Sequence, residues 1–151
     1  MAKDINFSQY GEKYASNNNM PTADYKLTSK YNDRGVFTFC MCPGGFVMPS
    51  SSSENTVVVN GMSNYKRDNV NSNSALIVQA KLSDFDKGVL GGVKFQERLE
   101  RKAFKLGGGD YTAPVQLVGD FINNKTSSEF GKVIPSYQLG VKKVNLNGFF
   151  S

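Results

Sequence analysis

The sequence has 151 residues, a formal net charge of +5 and 39% hydrophobic residues, which is enough for one domain with a buried core. It contains no histidine, so Ser-His-Asp catalysis, Cys-His catalysis and histidine-based metal sites are excluded within this chain, and we expect no metal site. No run approaches the roughly 20 apolar residues of a membrane span, and the polar N-terminus lacks the apolar core of a secretory signal. We therefore expect a cytoplasmic location and no membrane partner.

The positive charge is interspersed with negative charge. The densest basic segment, residues 94–105, also contains Glu97 and Glu100, and Glu97 precedes Arg101 by four residues. This spacing is typical of an ordinary solvated helix face. The sequence therefore does not favour nucleic acid as the main partner.

The first part of the chain reads as an irregular arm followed by short strands. Residues 1–23 are polar and rich in Asn and Ser, which predicts the arm. Residues 24–31 alternate in polarity, and Asn32–Gly35 predicts a turn. Further strands are predicted at 36–42, 46–48, 56–60 and 75–82, with polar loops at 50–55 and 64–73.

The apolar period then changes from strand spacing to helical spacing. Residues 93–106 carry apolar side chains at Phe95, Leu99, Ala103 and Leu106, which predicts a helix. Gly107–Gly109 predicts its end. Thr112–Pro114 predicts the start of a second helix, because proline is tolerated in the first turn. Short strands are predicted after it at 132–134 and 141–146.

Strands followed by a helical pair predict an α+β fold. We expect an antiparallel β-sheet or partial barrel of about five to seven short strands, with two helices inserted near residues 93–123. Residues 24–151 would form a single domain after the arm of residues 1–23.

The most unusual segment is Phe39–Gly45. On a strand, one bulky face would carry Phe37, Phe39 and Met41, and a smaller face would carry Val36, Thr38, Cys40 and Cys42. The smaller face could lie beneath a sheet, a helix or a flat ring. Cys40 and Cys42 are either buried free thiols or thiols near a ligand, because a disulfide between alternate residues of a strand would be strained. Pro43-Gly44-Gly45 is either a tight turn or a close approach for a ligand.

Two further polar segments, Asn60–Tyr65 and Arg67–Asn73, carry amide, hydroxyl and guanidinium groups. They either bind a ligand or are plain turn signals. No GxGxxG or P-loop pattern occurs. The three glycines at 107–109 follow a helix, so they indicate a helix cap and not a phosphate loop.

Several segments, in this order along the chain, resemble the uncharacterised FAD-dependent dehydrogenases, often called NAD(FAD)-utilising dehydrogenases. The matching segments, between Phe7 and Phe121, are Ser8–Gly11, Ala23–Leu27, Phe39–Gly45, Asn60–Tyr65, Asn73–Leu76, Ala103–Gly109 and Ala113–Phe121. Proteins of that family look like flavoproteins in which a Rossmann part that binds FAD is split by an inserted, substrate-side domain.

The resemblance implies that residues 24–151 are this insert domain, a fragment of a larger flavoprotein oxidoreductase. FAD would be held by the FAD-binding domain of the same parent chain, and a small-molecule substrate, not identified by the sequence, would be the other partner. Because the GxGxxG segment is missing, we expect the isolated chain to retain no FAD and to be inactive.

The resemblance also supplies candidate site residues. Cys42, Pro43, Gly44 and Gly45 would approach the isoalloxazine, and Asn60, Met62, Ser63, Arg67 and Asn73 would line the substrate cavity. No catalytic residue is assigned. Two alternatives stay open: a basic binding module for an acidic partner or nucleic acid, and a purely structural insert.

Overall fold

The computed structural model describes residues 28–43, 45–63, 65–66, 72–130 and 135–149. That part of the chain contains several short strands and two helices, which confirms the predicted α+β fold. The strands are β1 (Thr28–Tyr31), β2 (Arg34–Pro43), β3 (Gly45–Pro49), β4 (Val59–Ser63), β5 (Ser72–Val78), β6 (Ala113–Val115) and β7 (Val141–Lys143), and the helices are α1 (Gly91–Gly107) and α2 (Val118–Ile122), with a 3-10 turn at Leu82–Asp84. Neither described helix has a stretch long and apolar enough to cross a membrane.

The described residues belong to two compact units. The first holds those up to Phe46 and those within Gly61–Ala80, and the second holds Val47–Asn60 and those from Lys81 onward. The chain passes from one unit to the other inside β3 and again inside β4. The arm predicted at residues 1–23 lies outside the described residues, and the single domain at 24–151 stays a prediction.

The first unit is built on an antiparallel sheet with the strand order β1-β2-β5. Strands β1 and β2 form a two-residue hairpin in which Tyr31 faces Arg34. Asn32 and Asp33 at the turn have φ values of 43° and 68°, as a type I′ turn requires, and their side chains tolerate this conformation. The turn predicted at Asn32–Gly35 is therefore confirmed.

This sheet exposes large apolar side chains on both of its faces. Tyr31, Leu76 and Val78 lie on one face and are 73%, 70% and 56% exposed, while Phe37 and Ile77 on the other face are each 44% exposed. Exposed apolar side chains clustered in this way are typical of surfaces that bind another protein element, a membrane or a ligand.

The second unit has its core beneath α1. The most deeply buried apolar residues are Val57, Ala113 and Tyr137, and the partly buried residues packed on them are Val47, Ala103, Phe104 and Val141. The backbone N–H of Val57 donates to the carbonyl of Glu100 on α1 at 3.2 Å. Burial raises the pKa of the Tyr137 hydroxyl above its usual value, so this hydroxyl remains a hydrogen-bond donor, and it donates to the carbonyl of Tyr111 at 3.1 Å.

The glycines after α1 end the helix as predicted. Gly108 is in the left-handed region at φ 113°, and its N–H donates to the carbonyl of Lys105 at 3.1 Å. Gly107 has a different role: a Cβ at this position would lie 2.0 Å from the carbonyl oxygen of Thr112. The returning chain can approach α1 this closely only because Gly107 has no side chain.

The prediction that the second helix begins at Thr112–Pro114 is wrong. Residues 113–115 instead form β6, which pairs with β7 in parallel, whereas the prediction had only antiparallel strands. The Ala113 N–H donates to Gly140, and the Val144 N–H donates to Val115, both at 3.0 Å. Ala113 precedes a proline and is therefore biased toward extended backbone. The bond to Gly140 satisfies its N–H group in that conformation. The second helix begins only at Val118.

Other strand boundaries also differ from the prediction, and the strand predicted at 141–146 ends at Lys143. The strand predicted at 56–60 begins at Val59 and runs to Ser63, because the Thr56 hydroxyl turns back to the Ser53 carbonyl at 2.7 Å and Val57 bonds to α1. The strand predicted at 75–82 ends at Val78, where the Gln79 N–H donates to Gly35. The strand predicted at 132–134 lies outside the described residues.

We expect Gly107→Ala to lower the free energy of unfolding by about 1–3 kcal/mol, since the added methyl would meet the Thr112 backbone and force it to shift. The matched control is Gly119→Ala in α2, where a Cβ would meet nothing within 4 Å; alanine there should be neutral or stabilise by up to about 1 kcal/mol. Urea unfolding of the chain measures both values. Equal effects of the two substitutions would contradict the close approach.

The turn after α1 also makes a pH prediction. The Asp110 carboxylate accepts hydrogen bonds from the Thr112 hydroxyl at 2.5 Å and from the Thr112 N–H at 3.2 Å, and these bonds hold the pKa of Asp110 below its usual value of 3.8. Because the folded pKa is depressed, the resulting stability is present above the unfolded pKa and is lost as the pH falls through the folded pKa.

We therefore expect Thr112→Val to raise the pKa of Asp110 toward 3.8, as followed by NMR titration of its carboxyl carbon. Thr126→Val removes an exposed threonine hydroxyl from the same unit and should leave the Asp110 titration unchanged. An unaltered Asp110 midpoint in the Thr112 variant would show that these bonds do not set it.

Candidate functional site

The structure brings part of the predicted site together at the end of β2. Cys42 lies opposite Asn73 of β5, and Pro43 lies opposite Ser72. The sequence named Cys42 and Asn73 separately, one as facing the flavin and one as facing the substrate, and the sheet makes them cross-strand neighbours. Backbone pairing therefore joins the two predicted groups at one end of the sheet.

A register shift between Phe39 and Cys42 precedes this end of the sheet. Phe39 pairs with Ala75, but Cys42 pairs with Asn73, so β2 has one more residue than β5 across this stretch. The uninterrupted alternation predicted for Val36 to Cys42 is therefore broken here. Such bulges bend a strand and recur beside functional sites.

Strands β3 and β4 carry the next predicted residues. The Ser50 N–H donates to the Val58 carbonyl at 2.9 Å, which joins the two strands at their loop end and makes them antiparallel. Gly45 and Ser63 consequently occupy the opposite end of this pair, away from the loop. Met62 of β4 is 53% exposed, so its side chain is free to contact a ligand or another protein element.

Not every predicted site residue falls in this arrangement. Gly44 and Arg67 lie outside the described residues. Asn60 is exposed and belongs to the second unit, whereas Met62 and Ser63 belong to the first. The roles predicted for all nine site residues stay predictions.

One polar group of β2 was not singled out by the sequence. The Oγ1 atom of Thr38 is buried and has no hydrogen-bond partner among the described residues. Burying a hydroxyl without a partner is unfavourable, so such an atom indicates a missing acceptor or donor. The alternation of the strand placed Thr38 on its smaller face, but no local pattern could have shown that its hydroxyl is left without a partner.

The strand ends described above can hold a bound molecule in position and form hydrogen bonds with it. This arrangement offers a glycine and two strand ends, and the orphaned Thr38 hydroxyl lies farther back along β2, opposite Leu76. Among the described residues, no three His, Cys, Asp or Glu side chains are grouped so that they could hold a metal ion. A site of this kind can orient a bound ring or substrate, and the redox chemistry would come from a cofactor.

Comparison with known proteins shows the family of the chain. The family described as FAD-dependent protein, C-terminal domain-like, matches residues 1–151. An uncharacterized protein of Clostridium beijerinckii is 51% identical over 142 residues, which make up 90% of this chain and 26% of that protein. The chain thus spans about a quarter of the length of the curated relative that it matches. It belongs to the family of FAD-dependent proteins, of which it is a C-terminal-domain-like portion.

Proposed function

We propose that this chain is the substrate-side portion of an FAD-dependent oxidoreductase, a dehydrogenase, and that it closes over the flavin held by the rest of its parent protein. The observation that carries the proposal is the bulged end of β2, where Cys42 pairs with Asn73 and Pro43 pairs with Ser72, in a chain of an FAD-dependent family. Gly45 follows at the start of β3. A bulge re-aims the strand end, and a glycine lets a flat ring approach the backbone closely.

The exposed sheet supports a partner from the same polypeptide. Apolar side chains stand on both faces of β1-β2-β5, and burying such side chains would stabilise the assembly by about 25 cal/mol for each Å² covered. The relative is about four times as long as the matching segment. The FAD-binding domain of the same parent chain is therefore the partner that we propose for this sheet.

The described residues are better suited to contact the edge of the flavin ring than to bind the phosphates of FAD. The orphaned Thr38 hydroxyl and the glycine at the start of β3 suit a planar ring with polar edges. A pyrophosphate needs a glycine-rich turn that opens a helix, and the sequence has no GxGxxG. We therefore assign the phosphates to the rest of the parent protein, and expect the isolated chain to retain no FAD.

In this proposal the flavin, when bound, supplies the hydride acceptor. Cys42, Pro43, Gly44 and Gly45 limit how closely the ring approaches and shield it from water. The substrate contacts that we propose are Asn60, Met62, Ser63, Arg67 and Asn73, whose amide, hydroxyl and guanidinium groups would orient a small polar molecule. We propose a cytoplasmic location for the parent.

Two exposed methionines make a matched test of this cover. Met62 in β4 is 53% exposed and Met48 in β3 is 40% exposed, so neither substitution to alanine should lower stability greatly. In the full-length parent carrying FAD, we expect Met62→Ala to speed sulfite addition to the flavin by about tenfold, equivalent to 1.4 kcal/mol, and Met48→Ala to leave it unchanged. Loss of the visible flavin absorption measures the rate.

Deletion of this whole portion from the parent should expose the flavin fully and therefore gives the upper limit for the rate of sulfite addition. If the deletion retains FAD and reacts with sulfite no faster than the intact parent, this chain does not cover the flavin. If sulfite adds to the flavin at the same rate in Met62→Ala and Met48→Ala, Met62 of β4 does not shield the flavin.

A second candidate function rests on the surface of α1. A shallow groove of about 420 Å³ runs along it, lined by Lys94, Glu97, Arg98, Arg101, Lys102 and Lys105. Five cations and one carboxylate thus line it over about 16 Å of helix, and one of the cations, the Lys102 ammonium, donates to the Gly148 carbonyl at 2.8 Å. Glu97 and Arg101 are both exposed, as their spacing on a solvated helix face predicted. This surface favours a binding module for a polyanion.

This candidate predicts that a fluorescent single-stranded oligonucleotide binds with an affinity that falls with salt, with a log–log slope of about −0.7 for each phosphate neutralised. Arg98→Glu with Arg101→Glu should abolish binding. Lys87→Glu with Lys125→Glu changes the net charge equally at exposed positions away from the groove and should weaken binding only slightly. Fluorescence anisotropy measures the affinity of each variant. Equal losses of affinity in the two double variants would show that binding depends only on net charge and not on this groove.

A further inference from the structure

A second groove, of about 540 Å³, lies wholly within the second unit. We call it the tyrosine groove; its lining includes Ser52, Ser53, Glu54, Tyr111, Tyr137 and Leu139. Its volume is within the range of about 300–1,000 Å³ that small-molecule sites occupy. Its residues lie outside the strand-end site of the first unit and outside the basic surface of α1.

The floor of the tyrosine groove is held rigidly. Tyr137 is only 5% exposed, and its hydroxyl donates to the carbonyl of Tyr111. The Tyr111 ring packs edge-on against Phe104 with centroids 4.9 Å apart, and its hydroxyl accepts the Asn55 N–H at 3.4 Å. Three separate contacts therefore fix the position of Tyr111.

Tyr111 also has an unusual backbone. Its φ is 66°, in the left-handed region that bulky side chains rarely adopt. Such a conformation is retained where the surroundings impose it, often at ligand sites. Tyr111 is 40% exposed and lines the groove, so a ligand can reach it.

The facing wall is a serine-rich loop with its own fixed geometry. The Ser51 hydroxyl accepts the Val58 N–H at 2.9 Å, and the Ser53 carbonyl accepts the hydroxyl of the fully buried Thr56 at 2.7 Å. These bonds hold Glu54 between them at the rim of the groove. The loop therefore brings one acidic residue to a groove that two tyrosines also line.

The charge of the lining selects the ligand. Among the described residues that line the groove, Glu54 is the one charged side chain, and none is basic. An anion would meet a like charge and no compensating partner. A cation would meet the carboxylate and the ring of Tyr111, the combination by which proteins recognise ammonium groups.

We propose that the tyrosine groove binds a small organic cation, a primary amine or quaternary ammonium group, between Glu54 and the ring of Tyr111. The serine hydroxyls accept hydrogen bonds from the N–H groups of a primary amine, or bond to polar groups beside a quaternary ammonium. This site is independent of the flavin proposal, because it requires no cofactor and no other part of the parent protein.

The probe is tetramethylammonium chloride, titrated into the isotopically labelled chain and followed by amide NMR shifts. We expect saturable shifts at residues 52–55 and 111–112, and none with sodium chloride or with tert-butanol, which has a similar shape but no charge. Saturation with tert-butanol at the same concentration would show an apolar site and overturn the proposal.

Two substitutions of exposed carboxylates supply the matched control. Glu54→Gln should weaken tetramethylammonium binding by about threefold to fivefold, as expected for a contact at a partly exposed site. Glu129→Gln, on an exposed residue of the same unit outside the groove, should leave it unchanged. Equal weakening in both variants would mean that the cation responds only to net charge, and the site would be discarded.

A third variant separates the ring of Tyr111 from its hydroxyl. Tyr111→Phe keeps the aromatic face and should keep the affinity within about twofold, because the ring provides the attraction. A loss as large as that of Glu54→Gln, with the amide spectrum otherwise unchanged, would overturn the role assigned to the ring.

Discussion

The second unit depends on the contact between Gly107 and the returning chain. The Thr112 carbonyl lies where a side chain of residue 107 would have to be, so the chain can reverse directly beneath the end of α1. This reversal places Ala113 against Gly140 and lets β6 pair with β7. The same turn sets Tyr111 above Tyr137. The core, the pair of parallel strands and the tyrosine groove therefore all require that residue 107 has no side chain.

The first unit has the opposite character, because its sheet is extensively paired but poorly covered. Three antiparallel strands satisfy their backbone groups, while apolar side chains on both faces stay in contact with water. Backbone pairing alone adds little net stability to a sheet without a covered face. Together with the match of the chain to about a quarter of its relative, this is the reason for proposing that another part of the parent protein covers the sheet.

Local signals in the sequence predicted the features that depend on neighbouring residues. The left-handed turn at Asn32 and Asp33 and the glycine cap of α1 follow from the conformations that these residue types allow. The start of β6 did not follow, because proline at position 114 suits a first helical turn and a strand edge equally. The Gly140 carbonyl, far along the chain, decides between them.

The candidate site shows the same division. The residue types of Phe39–Gly45 marked it as unusual, but the pairing of Cys42 with Asn73 and the register shift before it arise from contacts between distant strands. No local period encodes a bulge whose extra residue is defined only by the partner strand. The tyrosine groove was missed because its walls come from Pro49, residues 51–54, Tyr111, Tyr137 and Leu139, which are far apart in the sequence and carry no recognised motif.

The missing histidine constrains what this chain contributes to any reaction of its parent. Without it, the chain has no side chain whose ordinary pKa lies near neutral pH. Burial raises the pKa of Tyr137 further, so this hydroxyl stays protonated and acts as a fixed donor to Tyr111. In the proposed function, a proton transfer at neutral pH would involve the flavin, the substrate or another part of the parent, and this chain would exclude water and hold the reactants in position.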